Sequence, residues 1–234
     1  MAKTKKTPTN AQFEAFEAAY QYFNEVLFAY ELPDVILNLS RKSKAMGFAA
    51  PNRWVRADRS KTVDLSKPER ISTSSGVEMH ELSINPEILF LSPIEVYSTL
   101  VHEQCHIWQF HCGKPSRRTY HNKEWANKML EVGLTPSSTG KPGGKMTGQS
   151  MSDYPTPDGI FLKALEDMPE HYKLPFISKE GIAKAQAAAA GGSAPEPKPK
   201  NKVKYSCPTC LTNVWGKPDL NLVCGDCKKT FTQL

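Results

Sequence analysis

Nowhere in the 234 residues is there an apolar run approaching the roughly 20 residues that a membrane span needs. Met1 to Thr9 is basic and polar and lacks the apolar stretch of a secretory signal, so a cytoplasmic chain with no membrane partner is expected. Charge of neither sign dominates: 30 Lys and Arg stand against 24 Asp and Glu, a net charge of +6. The Gly-rich stretch from Gly140 to Gly148 is not a phosphate-binding P-loop. With Gly144-Lys145 in the Gly-Lys positions, the first Gly would fall on Thr139 and the hydroxyl residue on Met146. A flexible loop is expected there, able to border a cleft or to meet a polyanion through Lys141 and Lys145. Cysteine is scarce, with six in all. Four fall into a metal pattern, leaving Cys105 and Cys112 as buried thiols and no disulfide framework. What remains is a globular chain, 39% apolar, long enough for one domain of ordinary size and a small module.

The most specific feature is His102-Glu103-Gln104-Cys105-His106. Helical positions four apart lie about 40° apart on one face, so two imidazoles there can reach one Zn²⁺, and a carboxylate beside them can act as a general base. Everything depends on a helix being present, and residues 92–113 predict one. Ser92 can cap it, Pro93 suits its first position, Glu95 completes a capping box, and Gly113 fits a stop. Ile94, Tyr97, Val101, Cys105, Trp108 and Cys112 form its buried stripe, with His102 and His106 on the flank.

A catalytic zinc site needs a third ligand. His111 lies about 140° round the helix from His106 and points away. His80 falls in a strand-like segment and His171 in a Pro-rich tail, and both read as ordinary histidines. His121 opens a second helical pattern, with Asn122 as cap, Trp125, Met129 and Val132 as apolar stripe, and Gly133 as end.

These residues resemble the SprT-like family of zinc metallopeptidases, whose eukaryotic relatives include Spartan-type proteases acting on DNA-crosslinked proteins. The resemblance rests on Ile84-Asn85-Pro86, on His102 to His106, and on His121-Asn122-Lys123-Glu124-Trp125, with Asn122 where the family often has Gly. It covers roughly residues 12–176. It implies an α+β, zincin-like domain with an N-terminal helix, a small sheet, the helix bearing the first two ligands and a helix supplying His121 as the third. The catalytic base would be Glu103 and the substrate a protein. Read independently, residues 12–30 predict a helix with Phe13, Phe16, Ala19 or Tyr20, Phe23, Leu27 and Tyr30 on its apolar face, closed by Pro33. Val35–Leu39, Met46–Val55 and Val77–Ile84 predict strands.

The second strong pattern is Cys207-Pro-Thr-Cys210 followed by Cys224-Gly-Asp-Cys227, two knuckles that predict a zinc ribbon with a closed structural Zn²⁺ site. The expected organisation is a basic flexible N-terminus (1–11), the metallopeptidase domain (12–176), an Ala/Pro/Lys-rich linker (177–203) and the ribbon (204–234). From Lys198 onward, seven Lys oppose Asp219 and Asp226, and Tyr205, Trp215 and Phe231 lie nearby. The ribbon and these Lys-rich segments are therefore candidates for binding nucleic acid; the resemblance implies DNA, and with it a nucleoid-associated location if the source is bacterial. Two zinc ions are expected, one catalytic and one structural. The competing reading is a non-catalytic nucleic-acid-binding or transcription-associated zinc protein. Glu103 argues against it, since a structural site needs no carboxylate there.

Overall fold

The computed structural model describes residues 6–41, 45–57, 73–117, 119–189 and 202–234. It is a mixed α+β structure that divides into two compact units, Met1–Ile182 and Ala183–Leu234. The Pro-Lys part of the expected linker and the first five residues of the expected basic N-terminus lie outside the described residues.

In the larger unit, helix α1 (Pro8–Phe28) starts four residues before the sequence reading placed it. Pro8 supplies a helical φ at the first position, and the Thr7 hydroxyl accepts from the Asn10 N–H. Ala29, at φ 49°, ends it, and Asn24 secures the exit by exchanging two hydrogen bonds with the Leu32 backbone. Strands β1 (Val35–Leu39), β2 (Gly47–Ala57) and β3 (Thr73–Ile84) form a sheet in the order β1-β3-β2. The β1–β3 pair is parallel and the β2–β3 pair antiparallel, so β2 is an edge strand.

Helix α2 (Pro93–Cys112) carries the expected capping box, with the Ser92 hydroxyl accepting from the Glu95 N–H and the Glu95 carboxylate accepting from the Ser92 N–H. Its stripe is shorter than expected. Tyr97, Val101 and Cys105 are buried, whereas Ile94 is exposed in the first turn and Cys112 in the last, because the helix overhangs the core at both ends. Cys112 is therefore not the buried thiol of the sequence reading. Helix α3 (Lys123–Glu131) is capped by Asn122, whose side chain accepts from the Trp125 N–H. Asn122 sits at φ −87°, so no glycine is needed.

Two features were not legible beforehand. Residues 134–155 form a hairpin of β4 (Leu134–Ser137) and β5 (Ser152–Pro155), and helix α4 (Ile160–Asp167) follows. Pro136 within a four-residue strand and the intervening glycines hide the hairpin from a periodicity reading. Gly133 joins α3 to β4 at φ +84°, with the α4 backbone packed so close that a Cβ would collide with it. The core gathers Phe16, Phe23, Leu82, Val101, Ile107, Met129 and Phe161, with Phe23 stacked on Phe161 at 6.1 Å between ring centres. Burying each such side chain stabilises by about 1.5–3 kcal/mol.

In the smaller unit, α5 (Lys179–Ala189) spans the division between the units and covers much of the Ala-rich run. Strands β6 (Val203–Ser206), β7 (Asn213–Gly216) and β8 (Thr232–Gln233) form an antiparallel sheet ordered β7-β6-β8.

Candidate metal centres

Among the described residues, two groups of side chains could hold a metal ion: His102 with His106 and His121, and Cys207 with Cys210, Cys224 and Cys227. Within each group one ligand atom per residue lies within 4.8 Å of all the others.

The histidine group is assembled from two helices and the hairpin. Helix α2 supplies His102 and His106 one turn apart, with ring centres separated by 5.2 Å. His121, just before α3, brings its ring to 5.6 Å from His102 and 4.8 Å from His106. The floor is Trp125, fully buried, with its indole 4.9, 5.2 and 4.4 Å from the three rings. A network at the helix ends fixes how α3 meets α2. Gln109 donates to Asn122 Oδ1 and to Glu124 Oε2, each at 2.7 Å, and the Lys114 N–H donates to the same Glu124 oxygen at 2.8 Å. Lys128, buried on α3, adds ion pairs to Glu31 and Glu131 and lies 4.6 Å from the centre of the Trp108 ring.

Two groups that sequence reasoning missed complete the surroundings. His102 Nδ1 lies 2.9 Å from Asp153 Oδ2 on β5, and His121 Nδ1 lies 3.1 Å from the Gly148 carbonyl in the hairpin loop. With both Nδ1 atoms engaged, Nε2 is the remaining donor of each ring, the usual division of labour in a metal-ligating histidine. Burial drives the His106 pKa well below its usual value, with His102 reinforcing it, and lowers that of His121 to about 4. For His102, burial also pulls downward but is outweighed by Asp153 and Glu103, so the net shift is upward. The downward shifts favour neutral rings with free lone pairs at His106 and His121, as a divalent cation requires, whereas His102 would have to give up its proton to the ion.

Glu103, one residue on from His102, is buried, and the backbone of β2 lies directly against it. A Cβ added to Gly47 would stand 3.0 Å from Glu103 Cγ and 3.1 Å from its Oε1. The other histidines are elsewhere: His80 Nδ1 accepts from the Asn52 N–H, His111 is exposed in the last turn of α2, and His171 meets the Tyr172 ring edge to face.

The cysteine group arises from two alike turns. The Leu211 N–H donates to the Cys207 carbonyl and the Lys228 N–H to that of Cys224, and Leu211 (φ 60°) and Lys228 (φ 55°) are both left-handed. Cys210 Sγ and Cys224 Sγ are 3.7 Å apart. Tetrahedral coordination at a Zn–S distance of about 2.3 Å separates sulfurs by about 3.8 Å, close to the spacing of this pair. Hydrogen bonds from Thr212 lower the Cys210 pKa to about 6, toward the thiolate a metal requires. Both groups are compatible with zinc.

The model of the SprT-like family matches residues 16–142, just over half of the chain. The chain belongs to the SprT-like family. That family is typically one of metalloproteases, in keeping with the histidine group, and the matched stretch contains all three histidines and Glu103. A protein of Salmonella typhimurium described as "Uncharacterized protein in mucB 3'region" is 35% identical over 57 residues, a stretch covering 24% of this chain and 77% of that protein. No solved structure matches. Among the described residues of this SprT-like chain, no helix is long and apolar enough to cross a membrane.

Proposed function

We propose that the chain is a zinc-dependent peptidase of zincin-like architecture that acts on DNA-associated or DNA-crosslinked proteins. The observation that carries this reading is the convergence of His102, His106 and His121 beside the buried Glu103. A zinc ion held by the three histidines would supply Lewis acidity, polarising the scissile carbonyl and acidifying the attacking water. Glu103 accepts the proton of that water and delivers it to the departing amine. Trp125 keeps the imidazoles in place, and its burial excludes solvent from behind them.

β2 is an outer strand of the sheet among the described residues, and Gly47 brings its backbone alongside Glu103, where an extended substrate chain could lie along it. Gly47→Val is expected to lower kcat about tenfold or more, with KM and metal content little changed, because the new side chain displaces the Glu103 carboxylate. Steady-state kinetics with metal analysis checks it, and a rise in KM alone would contradict this role.

The proposed organisation is a peptidase domain over residues 12–176, tethered through 177–203 to a structural-zinc ribbon over 204–234 that binds nucleic acid. Support comes from the ribbon's cross-strand register. Lys204 on β6 stands opposite the exposed Trp215 on β7, so a cation and an aromatic ring share one face, while Tyr205 and the opposing Val214 occupy the other. An indole can stack on a base while lysine meets phosphate. Tethering raises the local concentration of peptidase at whatever the ribbon has bound, which gives selectivity by location, in the cytoplasm and, if the source is bacterial, at the nucleoid.

The test is cleavage of a DNA-binding protein with and without single-stranded DNA, alongside metal stoichiometry. Two zinc ions per chain and cleavage stimulated by DNA are expected. Trp215→Ala should weaken DNA binding by about 1–3 kcal/mol and remove most of the stimulation while leaving basal cleavage intact. Cleavage that proceeds without metal, or that ignores DNA in the wild type, would overturn the peptidase or the DNA-directed part respectively.

A further inference from the structure

The hairpin of β4 and β5 reaches the histidine centre twice. Asp153 Oδ2 lies 2.9 Å from His102 Nδ1, with the two side chains only 10% and 12% exposed. The Gly148 carbonyl faces His121 Nδ1 at 3.1 Å, and the backbones of Gly148 and His121 exchange two N–H···O bonds at 2.8 and 3.1 Å. Gly148 and Asp153 both lie beyond the stretch matched by the family model, which ends at residue 142. The expected flexible loop is instead tightly bonded. Ser137 Oγ accepts the N–H groups of Thr139 and Lys141 and donates to the Lys141 carbonyl at 2.6 Å, and the backbones of Ser138 and Lys145 are joined at 2.8 Å. The Thr156 N–H closes the far end on the Gly133 carbonyl.

An imidazole presents a lone pair to a metal from one nitrogen, and the group bonded to the other nitrogen decides its tautomer and its aim. Asp153 and the Gly148 carbonyl are acceptors, so each selects the Nδ1–H tautomer and turns Nε2 inward. The hairpin engages two of the three candidate ligands and through them both helices, since His102 belongs to α2 and His121 precedes α3.

We propose that this hairpin is a clasp for the metal centre, in which Asp153 and the Gly148 carbonyl are positioning groups for His102 and His121, and in which metal binding and hairpin docking stabilise each other. It rests on the metallopeptidase reading only as far as a metal at the three histidines, not on the substrate. The stabilisation is reciprocal by thermodynamic linkage: whatever the hairpin adds to metal affinity, the metal adds to hairpin order.

The test uses the full chain, titrated with Co²⁺ and with Zn²⁺ against a chelator, comparing wild type with Asp153→Asn, Asp153→Ala and Asp153→Glu. Asparagine keeps an acceptor but loses the charge that strengthens the bond, and alanine loses both. Affinity at the histidine site is expected to fall about 10- to 100-fold, further for alanine than for asparagine, with the visible spectrum of the bound Co²⁺ altered and partly restored by glutamate. The cysteine site is the internal control and should keep its affinity. Hydrogen exchange over residues 134–155 should slow when metal is added to the wild type, and less so in the alanine variant. Wild-type affinity and spectrum in all variants, with hairpin exchange indifferent to metal, would overturn the clasp while leaving the peptidase reading standing. A wild type that binds metal only at the cysteines would sink both. A variant that merely misfolds shows itself by lost protection in α1, and the glutamate variant then decides.

Discussion

Glu103→Gln is expected to reduce peptide cleavage by about a thousandfold or more, equivalent to roughly 4 kcal/mol in the transition state, with both metal ions retained. The size of the effect follows from chemistry and geometry together. Glutamine fills the same buried space against β2 and can still hydrogen-bond, so packing changes little. It cannot accept a proton from water at neutral pH, which is the one task assigned to Glu103. Since Glu103 is not among the three candidate ligands, metal content should stay at wild-type level. Single-turnover kinetics on a protein substrate, with metal analysis of the same preparation, checks the prediction. Retained activity would remove Glu103 from the mechanism, and loss of activity accompanied by loss of metal would point to a structural part for it.

Stripping metal from the protein with a strong chelator should unfold residues 202–234 while the larger unit keeps its helices and sheet. The buried apolar side chains of the ribbon are Tyr205, Cys207 and Cys224, two of which are candidate metal ligands, so removing the ion leaves a single aromatic as core. Structural zinc in modules of this size supplies on the order of 10–16 kcal/mol of apparent folding free energy. The larger unit depends on Phe16, Phe23, Leu82, Val101, Met129, Phe161 and their neighbours, which need no ion. Amide spectra or hydrogen exchange mapped along the chain would separate the two responses, and Cys224→Ser should reproduce the ribbon's loss alone. A ribbon that stays folded after chelation would remove its metal from a structural part.

What could be read from the chain alone was whatever depends on short sequence separation. The capping box of α2 links Ser92 to Glu95, the one-turn spacing links His102 to His106, and each cysteine knuckle spans four residues, so local geometry was enough. The apolar periodicity of α1 was legible for the same reason, although its start moved to Pro8 because Thr7 and Pro8 form a better cap than the apolar pattern indicates. The ends of α2 were misjudged because periodicity reports which face is apolar, not how far the core extends beneath it. Ile94 and Cys112 continue the stripe to where both side chains are exposed.

Contacts that cross between segments were decided only by the tertiary structure. Asp153 reaches His102 from 51 positions away, Gly148 reaches His121 from 27, and neither aspartate nor glycine carries any mark in sequence of facing a histidine. The choice of β2 as the edge strand beside Glu103 likewise required the β1-β3-β2 order, which strand propensity does not encode. The physical division is one of range: backbone geometry dictates what neighbours along the chain share, whereas the aim of each imidazole depends on two helices, a sheet edge and a hairpin packing at once.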